Sequence, residues 1–131
     1  MAVGRAGANF WVFALCRLMS QYERLRCYSL AAELSDELWR AVNQWPTGER
    51  QSFGLQLVRA VDSVGANIAE ATGRWYAGDK RRLLYIARGS LYETEHWIGR
   101  AKARGLLDDR HDTTIIEIGK TLNGLIKRPK P

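Results

Sequence analysis

Residues 56–74 read QLVRAVDSVGANIAEATGR, and the fold of the whole chain follows from how this stretch is placed. On a helix advancing about 100° per residue its side chains divide between two faces. Leu57, Val61, Val64 and Ile68 make an apolar face. Gln56, Arg59, Ser63, Asn67, Glu70 and Arg74 gather within an arc of about 80° on another. Small residues border that polar line, with Ala60 and Ala71 on one edge, Ala66 on the other, and Gly65 and Ala69 further round. A second helix can approach closely beside such a border. Ser, Asn, Glu and Arg at spacings of three and four suit a hydrogen-bonded network against that helix. A solvated face with local pairs is the plainer alternative.

Working outward, the same periodicity recurs on both sides. Leu30, Leu34, Leu38, Ala41, Val42 and Trp45 predict a helix over residues 29–45, stopped by Pro46. Thr47 is placed to cap a second helix over residues 47–72. The segment TGRWYAGD breaks the pattern with two glycines, and Asp79 is a natural N-cap for a third helix over residues 79–104. Its expected core face is Leu83, Ala87, Ser90, Thr94, Ile98 and Ala101, with Leu91 and Trp97 at the edges. Gly105 closes it, LLDDRHD turns the chain, and a last helix carries Ile115, Ile118, Leu122, Leu125 and Ile126 before Pro129. No useful length alternates at period two, so strands are not expected. Four amphipathic helices with short connections predict an all-α, antiparallel up-down four-helix bundle.

At 131 residues the chain is long enough for one core and one domain. Met19 opens a stretch that reads as a natural start, so residues 1–18 are expected to be an extension outside the core and residues 19–131 the bundle with a short basic tail. The apolar run NFWVFALC is too short to span a membrane and lacks a convincing cleavage site. Cys16 and Cys27 follow no metal-binding pattern and read as free thiols of a cytoplasmic protein. Lys and Arg number 20 against 14 Asp and Glu, giving a formal charge of +6 that favours acidic partners such as nucleic acid. Much of the excess lies in Lys80, Arg81 and Arg82 and in the tail residues Lys127, Arg128 and Lys130.

The chemistry that these residues allow is limited. Glu93 and His96 form a Glu-x-x-His pair of the kind used in di-iron bundles, but such a site needs two pairs and two further glutamates. The only other histidine, His111, falls in a turn, so neither a metal nor another cofactor is expected. Ser63, Ser90 and the cysteines lack a positioned base, and there is no glycine-rich phosphate loop. The expectation is a protein that is not an enzyme. The segment RWYAGDKRR, residues 74–82, is the best candidate for contact with RNA or DNA: Trp75 and Tyr76 offer rings for stacking, and Lys80, Arg81 and Arg82 offer charge for phosphates. The competing reading is that Trp75 and Tyr76 cover the end of the bundle. A structural interaction scaffold with incidental basic charge is the alternative function.

Over residues 22–127 the sequence resembles the four-helix-bundle proteins encoded within 23S rRNA intervening sequences. QLVRAVDSVGANIAEATGR and RRLLYIARGSLYETEHWIGRAKARGLLDD carry the resemblance. They match the recurring patterns Q-x-x-R-A-x-x-S-x-x-x-N-I-A-E-G and A-x-G-S-x-x-E through Gln56, Arg59, Ala60, Ser63, Asn67, Ile68, Ala69, Glu70, Gly89, Ser90 and Glu93. The chain departs at Ala71, where the pattern has glycine, and supplies Gly73 instead. The resemblance implies a ring-shaped homopentamer without established enzymatic activity, and a relation to accessory subunits of the reverse transcriptase in diversity-generating retroelements. On that reading the polar line of Gln56, Arg59, Ser63, Asn67 and Glu70 packs against a helix of the same or a neighbouring subunit, with Glu93 a partner for Arg59.

Overall fold

A computed structural model describes residues 26–127. The expectations for residues 1–18, Cys16, Met19, Arg128, Pro129 and Lys130 lie outside these residues. Among the described residues there are four long helices and no strand. Helix α1 is Arg26–Asn43, α2 is Leu55–Thr72, α3 is Ala77–Ala103 and α4 is Asp112–Lys127.

Side-chain pairs fix the directions. Ser35 reaches Asp62 while Tyr28 lies against Gly65, so α1 and α2 run oppositely. Arg88 pairs with Asn123 and Lys102 with Asp112, which sets α4 against α3. Arg26 meets Glu117 and Glu37 meets His111, so α1 and α4 are antiparallel as well. Each helix packs on its two neighbours around the square α1–α2–α3–α4. The result is an up-down bundle, as the periodicity predicts. The start of α3 and the ends of α2 and α4 therefore share one end of the molecule. The turns at 44–54 and 104–111 share the other.

The apolar face of the opening stretch is the core: Leu57, Val61, Val64 and Ile68 are buried with Ala60, Gly65 and Ala71. The Tyr28 ring lies 3.7 Å from where a Cβ on Gly65 would stand, an ordinary contact that packs α1 on α2. In α3 the core face is rotated from the expected one. Leu91 is buried and Ser90 is only half-buried, because Leu84 and Leu91 turn inward and move Ser90 to the seam with α2.

Boundaries differ where local chemistry overrides spacing. Helix α1 is already formed at Arg26, the first described residue, and ends at Asn43, leaving Trp45 beyond it but buried. Thr47 does not cap. Pro46 occupies that position in extended conformation without a side-chain cap, and Arg50 N–H donates to its carbonyl at 2.9 Å. The run from residue 47 is not uniform either: Thr47–Glu49 is α-helical, Arg50–Gly54 is a π-turn, and only then does α2 start. The wide turn brings both Phe53 and Gly54 inward. A Cβ on Gly54 would stand 2.8 Å from Val42 Cγ1 and 3.1 Å from the Glu49 carbonyl oxygen, so this close approach requires glycine. Asp79 is not the cap of α3. Tyr76 is, in extended conformation and without a capping side chain, and Asp79 sits in the first turn, where its charge suits the helix dipole. Gly105 closes α3 as expected, with φ +72°, and Leu106 N–H donates back to the Ala101 carbonyl at 2.9 Å.

Candidate nucleic-acid interface

The loop between α2 and α3 turns at Gly73, whose N–H donates to the Glu70 carbonyl at 3.1 Å. The next residues are carried outward. Trp75 is 85% exposed and Tyr76 71% exposed, so neither ring covers the bundle end. Cys27, Ile68, Ala71, Leu83, Leu84 and Ile126 already bury that end beneath them. Sequence alone leaves both readings of Trp75 and Tyr76 open, because a loop has no periodicity from which to read a facing direction.

Along the first turns of α3, Arg81 and Arg82 are exposed and make no ion pair or hydrogen bond among the described residues. Lys80 is half-buried beside them. Arg74 is committed differently: its guanidinium donates to Glu70 at 2.6 Å, and this contact raises its already high pKa. Two further residues belong to the patch and were not singled out by sequence. The Arg88 guanidinium lies 4.8 Å from the centre of the Tyr85 ring and donates to Asn123 at 3.3 Å. Their signal was the spacing of Arg81, Tyr85 and Arg88, four and three apart along one face of the helix. Gly78, Arg81, Arg82, Tyr85 and Ile86 line an open depression of about 560 Å³.

The charge is unevenly distributed. Residues 74–88 hold five cations, Arg74, Lys80, Arg81, Arg82 and Arg88, against one carboxylate, Asp79. The other described residues carry ten Lys and Arg against twelve Asp and Glu. Lys127 is exposed at the end of α4, which the antiparallel register brings to the same end of the bundle. Trp75, Tyr76, Lys80, Arg81, Arg82 and Lys127 thus share one pole. Arg128 and Lys130 follow Lys127 in sequence but lie outside the described residues.

The polar line of α2 divides into two parts. Ser63 and Asn67 are half-buried in the seam with α3: the Ser63 and Ser90 hydroxyls are 2.9 Å apart, and the Asn67 amide donates to the Ser63 carbonyl at 2.8 Å and hydroxyl at 3.0 Å. Gln56, Arg59 and Glu70 are exposed. Within one chain Arg59 does not pair with Glu93; Glu93 accepts from the Trp97 indole N–H at 3.3 Å, its own neighbour one turn on. A long exposed arginine keeps its hydration unless a fixed partner repays its ordering.

Nor do Glu93 and His96 join other ligands. The His96 ring packs edge-on against Trp97 at 4.8 Å, and among the described residues no group of three or more His, Cys, Asp or Glu is arranged to hold a metal ion. His111 is not a loose turn residue: it is 3% exposed, with Nδ1 3.3 Å from the Glu37 carboxylate. Among the described residues no helix is long and apolar enough to cross a membrane.

The 23S rRNA-intervening sequence protein family matches residues 23–128, a range that includes all four described helices. The chain belongs to this family. No curated protein matches it.

Proposed function

We propose that the protein is a non-enzymatic, oligomeric helical bundle that binds RNA or DNA with little sequence preference through its basic pole. The observation that carries this reading is the concentration of positive charge at the start of α3, in a chain whose other described residues are slightly acidic in balance. Phosphates that meet Arg81, Arg82 and Lys127 release counterions, which favours binding at low salt. Among the described residues no outward-facing set of Asn, Gln and Arg on one helix is aimed as a base-reading surface, so charge and shape dominate over sequence. Anisotropy with labelled oligonucleotides tests the reading: R81A/R82A should weaken binding to every oligonucleotide by a similar factor and flatten the salt dependence.

A ring, in the form of a homopentamer, is part of the same proposal. Apolar side chains left in solvent on all four helices, including Trp39, Leu55, Tyr92 and Ile116, support packing beyond one bundle. Several copies of a weak basic pole on one ring multiply avidity. Light scattering that returns a monomer mass at all concentrations removes the ring. The family resemblance implies, for such a ring, the role of an accessory subunit to a reverse transcriptase. The same exposed apolar side chains favour a second reading, a protein-interaction scaffold, and absence of any nucleic-acid binding at low salt selects it.

A further inference from the structure

The basic pole carries two features that charge alone does not require: rings held out into water, and apolar side chains among the arginines. Trp75 and Tyr76 are 85% and 71% exposed on a short loop, with their side chains free of the core. Along the first turns of α3, Tyr85 and Ile86 line an open depression together with Gly78, Arg81 and Arg82. Gly78 keeps its near edge low, since nothing lies within 4 Å of where its Cβ would be. Two large aromatic residues left in solvent forgo the gain that burial would bring, and the core is closed without them.

We propose that this pole selects single-stranded over double-stranded nucleic acid, with unpaired bases stacking on Trp75 and Tyr76 while the adjoining backbone runs past Gly78 and meets Arg81 and Arg82. This deepens the proposed function and rests on its reading of the basic pole. The physical distinction is access. A duplex buries its base faces in its own stack and offers the protein only phosphates and groove edges, whereas a single strand presents a π-face at every nucleotide. Stacking is tolerant of base identity, which fits a site without a base-reading set of side chains. The guanidinium groups serve both forms, so they set affinity while the rings set the preference for strandedness. The exposed Tyr85 ring, with Arg88 packed on it at 4.8 Å, gives the depression a flat, positively charged edge along the strand's path.

The test compares one labelled oligonucleotide of mixed sequence, alone and annealed to its complement, by anisotropy at low salt. The probes are the full-length chain and the variants W75A/Y76A and R81A/R82A, with the assembled mass of each followed by light scattering. The full-length protein should bind the single strand about tenfold more tightly, the scale of base-aromatic stacking. W75A/Y76A should bring the single-strand affinity down to that of the duplex, leaving duplex affinity, salt dependence and mass unchanged. R81A/R82A should weaken both forms alike and keep their ratio. Equal binding of the two forms, or a W75A/Y76A protein that keeps the preference, overturns the proposal and leaves the basic pole standing. A W75A/Y76A protein of reduced mass also overturns it, since the rings would then belong to a subunit contact. Failure to bind either form at low salt overturns both the selectivity and the pole.

Discussion

The two ends of the bundle use the same residue types to opposite effect. At the end formed by the turns 44–54 and 104–111, Trp45 and Phe53 are buried, their rings 5.1 Å apart, and Trp97 lies 6.4 Å from Phe53. Arg104 closes over Phe53 at 4.6 Å. At the other end Trp75 and Tyr76 stand in solvent, and small and aliphatic residues, Cys27, Ala71, Leu84 and Ile126, close the core without them. Aromatic residues at a helix junction therefore seal the core only where backbone geometry turns them inward. The π-turn at Arg50–Gly54 does this for Phe53, and the extended residue Tyr76 does the reverse. One end spends its aromatic surface on stability. The other leaves it available to a partner.

The largest expected difference between the ends is in stability. Phe53→Ala removes a buried ring together with its contacts to Trp45, Trp97 and Arg104, and should cost about 3–5 kcal/mol in urea or thermal unfolding. Trp75→Ala should fall within about 0.5 kcal/mol of wild type. Comparable losses at the two positions would break the contrast, because Trp75 would then be covering core.

Cys27 sharpens the contrast at the open end, where it reports how dry the closure beneath Trp75 is. Burial pushes its thiol up from 9.0 to about 11. The neutral thiol's contribution is therefore complete below pH 9 and is lost as pH climbs through about 11, a loss of about 2–3 kcal/mol. Unfolding free energies measured from pH 8 to 11 should fall less steeply for Cys27→Ala than for the wild type. An unchanged slope means that water reaches the thiol.

Gly54→Ala probes the closed end through its backbone. The added methyl must displace Val42 or the Glu49 carbonyl, and the expected loss is about 1–3 kcal/mol. A neutral result would show that the π-turn relaxes freely and does not fix Phe53.

These contrasts explain what the sequence discloses. Leu57, Val61, Val64 and Ile68 were legible as core because a regular helix converts spacing into facing direction, and Pro46 and Gly105 marked ends because their backbone limits are local. The π-turn was not legible: five residues from Arg50 to Gly54 keep a helical composition, and only contact with Val42 and Trp45 fixes the wider turn. The burial of His111 was missed for a similar reason, since its place depends on Glu37, distant in sequence. In the candidate site the charges of Lys80, Arg81 and Arg82 were plain. The exposure of Trp75 and Tyr76 and the joining of Tyr85 to Arg88 were not, because loop direction and the packing of α4 on α3 decide them.

The smallest expected effect lies on α3, just beyond the basic pole. Gly89 is exposed in mid-helix, and nothing lies within 4 Å of where its Cβ would be, so no contact within the chain asks for glycine there. Glycine lowers helix propensity and raises the entropy of the unfolded chain. Gly89→Ala should therefore stabilise the protein by about 0.5–1 kcal/mol, seen as a raised melting temperature with the assembled mass unchanged. The neighbouring exposed side chains Tyr85, Ile86 and Tyr92 make the other outcome informative. A methyl on a face pressed closely by another copy has no room and would lower the assembled mass despite the better helix. The sign of this small change thus distinguishes whether the open surface of the basic pole continues along α3 to Gly89, or stops where a neighbouring subunit begins.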